Sequence, residues 1–244
     1  MYERHPSFRP PEGVAHLWRY LSFAKYISLL EYKALHFARS DILGDRFEGA
    51  LTEADKEGIR TAFAAHLPKS AQDGLLKNFS ETMRQIRRAM YISCWHESEY
   101  ELDAMWRIYA ADHGIAVRTT FDDLTLSLEY PEPIHAGRVT YIDFRTDTAF
   151  YDAYLFSVFS RKRLSFEHEK EVRLLLVRDM EGILGGADAP DVVAAPVDVT
   201  RMIKHVFVSP YAPAWLHDTV ARVTKTYGLS FPVTQSHLAK DPVL

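Results

Sequence analysis

The chemistry-bearing stretch of this chain is SFEHEKEVRLLL, where Glu167, Glu169 and Glu171 alternate just before an aliphatic run. If residues 169 to 173 are extended, Glu169, Glu171 and Arg173 project from one face and Lys170 and Val172 from the other. Carboxylates spaced in this way stand roughly 7 Å apart at Cα. One of them could hydrogen-bond a sugar hydroxyl and stabilise an oxocarbenium-like transition state as a glycosidic bond breaks. The other could orient or deprotonate the acceptor. Neighbouring anions also raise one another's proton affinity, which suits acid–base work. The same residues also read as an ion-pair ladder, with Glu169 or Glu171 held by Arg163 or Arg173 at a strand edge and contributing little stability. Glu167 falls on the connection before them and has no special claim.

Other residues need weighing beside them. Arg19 in HLWRYL sits between Trp18 and Tyr20, either as a cation for an anionic ligand or as a guanidinium stacked on a ring. Ser93 in YISCW is a small hydroxyl on a strand. Cys94, in the same apolar context, reads as an inert core thiol rather than a nucleophile paired with His96. Trp106 and Tyr109 read as core, Asp45 and Glu48 as turn formers, and His36 as a satisfied core or edge histidine. His96, Glu97, Glu99 and His113 match no ligand spacing, so no metal is expected. The clusters Arg84-Arg87-Arg88 and Arg161-Lys162-Arg163 read as positive charges that complement helix C-termini.

The elements that must position these residues follow from periodicity and punctuation. Residues 1 to 13 form an extended arm, because Pro6, Pro10 and Pro11 forbid regular pairing. Strands are expected over 16–21, 34–40, 90–95, 114–120, 138–143, 171–177 and 204–210, with VAAPVDV as a further segment and LSFPVTQS as a closing edge strand. Ser22 caps a helix carrying Phe23, Tyr26, Ile27 and Leu30. Thr52 opens another with Thr-x-x-Asp, running to about Leu67. Further helices are expected over about 70–90, around Leu102 to Tyr109, over about 148–161 with Phe150, Tyr151, Tyr154, Leu155, Val158 and Phe159 on one face, and from Pro213 to a stop at Gly228. GILGGADAP is a glycine-rich loop.

Composition bounds the class. With 47% hydrophobic residues among 244, there is apolar material for one large core. A net charge of −4 gives no global field to attract nucleic acid or anionic membrane. One cysteine excludes a disulfide framework and a cysteine-rich zinc site, and a reducing cytoplasm is the expected compartment. No apolar run approaches the roughly 20 residues of a membrane span. Gly-x-Ser-x-Gly, a Walker A loop, Gly-x-Gly-x-x-Gly and His-Glu-x-x-His are all missing.

Taken in order, LWRYLSFAKYISLLEYKALHFARSDILGDRFEG, YISCW, AMWRIYAADHGIAVR and FEHEKEVRLL resemble a widespread bacterial family known only as a domain of unknown function. The likeness covers roughly residues 16 to 178 and implies no established activity. The chain departs from the family's Asn-Asp-Pro-Phe-Glu loop at Gly44-Asp45-Arg46-Phe47-Glu48. The order of an arginine on a strand, a serine on a strand and Glu-x-Glu before a strand is also similar to that of ADP-ribosyltransferases. That resemblance implies that Arg19, with Tyr20 beside it, contacts NAD, that Ser93 positions the nicotinamide half, and that Glu171, assisted by Glu169, is the catalytic carboxylate. It requires Arg19, Ser93 and Glu171 to converge on one concave pocket.

The expectation is an α+β protein, one domain over residues 1–244, with a single mixed or antiparallel sheet and helices packed around it, which the second resemblance implies to be ADP-ribosyltransferase-like. It would use NAD as co-substrate, either transferring ADP-ribose to a protein or nucleic-acid acceptor or cleaving the glycosidic bond of NAD, as a toxin or anti-phage effector, with no membrane partner. The alternative is a non-catalytic module for a small ligand or protein, in which the Glu-x-Glu-x-Arg strand is structural.

Overall fold

A computed structural model describes residues 1–64, 68–110, 112–148 and 155–240. The first three elements are strand β1 (His16–Ser22), helix α1 (Phe23–Tyr32) and strand β2 (Ala34–Arg39). Ser22 caps α1 by accepting from Lys25 N at 3.3 Å, and Lys33 in the left-handed conformation (φ 46°) turns the chain straight into β2. Next come α2 (Glu53–Ala64), α3 (Lys69–Ala89), β3 (Met90–Glu97), α4 (Asp103–Tyr109), β4 (Gly114–Thr120) and α5 (Phe121–Leu126). Thr52 and Asp55 form a reciprocal capping box, each side chain accepting from the other's backbone N–H.

The chain continues through β5 (Ile134–Arg138), β6 (Thr140–Ile142), β7 (Arg161–Arg163), β8 (Glu171–Val177), α6 (Met180–Leu184), β9 (Val192–Pro196), α7 (Val199–Met202), β10 (His205–Val208), α8 (Ala214–Thr226) and β11 (Val233–Gln235). Nine strands form one sheet; β6 and β7 pair separately, in parallel. Within the large sheet, β10–β11 is the parallel pair and the other pairings are antiparallel. The α+β expectation is met: a mixed, mostly antiparallel sheet with helices around it. No helix among the described residues is long and apolar enough to cross a membrane.

The sheet forks at β3. One edge of β3 pairs with β8 from Met90 to His96. The other edge meets β1 only at His96 and Glu97, and β2 only at Tyr91 and Ile92. Between those contacts β1 and β2, joined by α1, peel apart beside Ser93, Cys94 and Trp95.

Register then assigns faces. Leu17, Leu21, Trp95, Leu174 and Val117 belong to the main core with α1, α5, α7 and α8. The opposite face carries two separate apolar clusters. One gathers Met90, Ile92 and Leu175 with Met83 and Ile86 of α3; the other gathers Trp18, Tyr20 and Phe207 with Met105 and Trp106 of α4. Because β8 is covered on both faces, it reads as a nearly unbroken aliphatic run.

Several expectations are revised. RVTYID is not one strand: β5 ends at Arg138 and β6 leaves to pair with β7. The expected helix over 148–161 falls partly on residues 149–154, outside the described ones; Leu155–Ser160 is a 3₁₀ helix and Arg161–Arg163 is strand. GILGGADAP begins inside α6, whose N-cap Asp179 accepts from Gly182 N. The arm runs along the outer edge of β5 through isolated bridges at Tyr2–Ile134 and Arg9–Arg138.

Candidate functional site

Glu169 does not lie on a strand with Glu171. It ends a 3₁₀ helix, Leu164–Glu169, and Lys170 adopts a left-handed conformation (φ 38°) before β8 starts. The i, i+2 spacing therefore does not follow strand alternation. The two carboxylates nevertheless meet, because β7 brings Lys162 between them: its Nζ donates to Glu169 Oε2 and, at 2.9 Å, to Glu171 Oε2. The basic triplet 161–163 is thus not a helix terminus. Lys162 turns inward and Arg163 donates to Asp45 at 2.7 Å.

Arg173, with no exposed surface, organises the rest. Its Nε donates to Glu171 Oε1 at 2.7 Å and its Nη2 to Glu171 Oε2 at 3.2 Å. Nη1 and Nη2 also hold Glu48 at 2.8 and 3.0 Å, and Nη1 reaches the Phe159 carbonyl at 2.7 Å. Glu48, expected as a turn former, is therefore a buried anion gripped in bidentate fashion. Asp45 does shape the turn, accepting from Phe47 N, and pairs with Arg163 as well.

Three carboxylates thus share two cations in a pit between the two apolar clusters. Burial alone would raise the Glu171 carboxyl, but Arg173 and Lys162 outweigh it and hold it far below the usual carboxylate range. Burial raises the Glu48 carboxyl, and Arg173 offsets this only in part. Burial would lower the Lys162 amine, but Glu171 and Glu169 keep it above its ordinary value.

Beside the pit, a cavity of about 900 Å³ opens along the fork. Arg19, Tyr20, Glu169 and Glu171 all line it, while Ser93 lies buried behind Arg19 and accepts from its Nη1 at 2.8 Å. Arg19 Nη2 donates to the His36 carbonyl at 3.1 Å, so the guanidinium spans the gap between β1 and β2, with Trp95 5.6 Å from it. Among the described residues no carboxylate is in ion-pair contact with Arg19. Burial lowers it to about 10, which leaves it charged at neutral pH. Tyr20 accepts from Leu102 N at 3.1 Å and is pushed by burial up to about 12. Arg19 pairs across from Val117 in register, whereas Glu171 pairs across from His96. Their backbones therefore direct them to opposite faces, and it is the fork that lets one cavity touch both.

Cys94 is not a core thiol. Its surface is open to the cavity, yet it sits deep among protein atoms with its S–H donating to Glu171; that desolvated setting and the adjacent anion push the thiol well up, so it is no thiolate. Trp106 fills the core as expected, but Tyr109 is 46% exposed, lines the cavity and donates to Glu169 Oε1 at 2.7 Å. The four residues weighed as metal ligands disperse: Glu97 pairs with Arg138, Glu99 with His16, His113 packs on Trp215, and His96 Nδ1 meets the Glu169 carbonyl. Sequence reasoning missed Glu48, Lys162 and Tyr109. The only local signal was an acid in a turn, a lysine between two arginines and a tyrosine ending a helix.

No family model, curated protein or solved structure matches this chain, so its resemblances rest on the motifs themselves.

Proposed function

We propose that the cavity binds a small anionic, nucleotide-type molecule, with NAD the first to test, and that the Glu-x-Glu-x-Arg segment is the scaffold of the site. One observation carries this reading: Arg19 lines a ligand-sized cavity with no carboxylate partner among the described residues, held in place by Ser93 and the His36 carbonyl. A charge withdrawn from water without a counter-ion is costly, and an arriving phosphate or carboxylate supplies one. The volume lies within the range of small-molecule sites. Tyr20, Trp95, Tyr109 and Phe166 offer ring surface to a base.

The transferase version asks more of the same walls. Glu171 would have to reach a ribose hydroxyl, yet its oxygens already accept from Arg173 and Lys162. This saturation favours the binding reading over a catalytic Glu171. Calorimetric titration with NAD tests the proposal. Arg19→Gln should weaken binding about 10- to 100-fold, the size of a lost charge-assisted contact, with far-ultraviolet circular dichroism confirming that the variant is folded. Equal affinity in both proteins would refute it. Nicotinamide released by wild type and lost in Glu171→Gln would restore the transferase.

A further inference from the structure

One wall of the cavity gathers basic side chains from three elements. Arg19 comes from β1, Lys25 from the first turn of α1 and His36 from β2, and all three line the same space. Arg19 already donates to Ser93 and to the His36 carbonyl, so the open groups are its two neighbours. Lys25 is exposed and His36 half-buried, which leaves both accessible to an occupant. Among the described residues, neither the Lys25 ammonium nor the His36 imidazole has a hydrogen bond or an ion pair.

The acids of the cavity are engaged elsewhere. Asp45 is held by Arg163, Glu48 by Arg173, Glu169 by Lys162, and Glu171 by both Lys162 and Arg173. The charged groups that act on His36 are Arg19 from β1 and Lys25 from α1, both cations. Its paired strand β9 brings Ala194 opposite it, and β3, two positions past the Ala38–Ile92 pair, brings the Cys94 thiol across the fork. Burial and the two cations hold the imidazole below its ordinary value, so it is neutral at neutral pH. Like charges gathered without an anion between them repel, and a doubly negative ligand group relieves that repulsion.

We propose that Lys25 and His36 complete, with Arg19, a subsite for a diphosphate. This rests on the binding reading above and names the anion, which carries two charges where a carboxylate carries one. Lys25 meets it as a point charge and His36 as an N–H donor. A bound dianion favours the protonated imidazole, so His36 takes up a proton as the diphosphate arrives. The imidazole then holds its proton to higher pH in the complex than in the free protein, and affinity tightens as pH falls through that interval. The diphosphate of NAD keeps both charges throughout, so the pH dependence belongs to the protein.

Calorimetric titration of Lys25→Gln and His36→Gln isolates the two groups. Both changes spare the backbone contacts, Lys25 N to the Ser22 cap and the His36 carbonyl to Arg19, and circular dichroism confirms folding. Each should weaken NAD about 3- to 10-fold at neutral pH, the size of one lost contact. Inorganic pyrophosphate at neutral pH should lose a similar factor, since the subsite touches neither base nor ribose. From about pH 7.5 to about pH 5.5, wild type should bind NAD roughly 3- to 10-fold more tightly, and His36→Gln should not. NAD affinity unchanged in both variants but lost in Arg19→Gln overturns this inference and leaves the Arg19 reading standing. Losses for NAD without losses for pyrophosphate overturn the diphosphate assignment. NAD affinity indifferent to Arg19→Gln overturns the binding reading itself, and this inference with it.

Discussion

Replacing Arg173 with Met tests whether the buried charge cluster is structural. Wild type places Glu48, Glu169 and Glu171 on Lys162 and Arg173, three anions on two cations. Arg173→Met leaves three anions on one. Of the pairings that remain, Lys162 bonds Glu169 and Glu171 directly and stands 3.9 Å from Glu48. Glu48 thus loses both of its short contacts. Stranding a buried charge in this way costs about 3–5 kcal/mol, a large share of the roughly 5–15 kcal/mol that holds a domain together. For a chain of this length each kcal/mol moves the melting temperature by about 2–4 °C, so a fall of roughly 6–20 °C is expected at neutral pH.

The pH dependence of that deficit is its signature. Without the guanidinium, burial raises the freed carboxyls above their ordinary 4.5. A group whose folded value exceeds its unfolded one keeps its stabilising proton below 4.5 and loses it as pH rises. The gap between variant and wild type should therefore be small below pH 4.5 and widen above it. Glu171→Gln leaves two anions on two cations and should lower the melting temperature by less. Calorimetry of the three proteins across pH measures all of this. A drop under about 2 °C at neutral pH, or a greater loss in Glu171→Gln than in Arg173→Met, would refute the charge accounting.

Two further predictions concern the frame of the site. In Gly137→Ala the new Cβ would stand 2.7 Å from Arg9 N and 2.8 Å from Phe8 C, backbone atoms that cannot rotate away. The arm should lift from β5, at a cost of about 1–3 kcal/mol, and limited proteolysis should cut within residues 1–13 faster than in wild type; equal cutting rates would contradict this. Burial lowers His5, His36, His96 and His205 from their ordinary 6.5, so the folded chain holds them neutral while the unfolded chain takes up protons first. Stability is then complete above 6.5 and declines as pH falls through it, before any carboxylate at its ordinary 4.5 titrates. The urea midpoint should drop across that window, and a flat midpoint would show the histidines uninvolved.

What the sequence determined by itself was local. Ser22 and Thr52 are helix caps because a hydroxyl beside the first turn satisfies an orphan N–H whatever the rest of the chain does. GIAVRTT is a strand end to end, and EVRLLLV, aliphatic on both faces, announces a strand covered on both sides. Arg19, Ser93, Glu169 and Glu171 were legible as residues worth watching because charge or hydroxyl at a strand is unusual against an apolar background. Their partners were not. Lys162 reaches Glu169 because β7 pairs with β6, a contact no periodicity encodes. Glu48 meets Arg173 across 125 positions of chain, and a turn acid looks the same whether it faces water or a buried guanidinium. The fork in the sheet decided the most. Alternation alone sends Arg19 and Glu171 to opposite faces, and only the parting of β1 from β2 beside β3 opens one cavity to both.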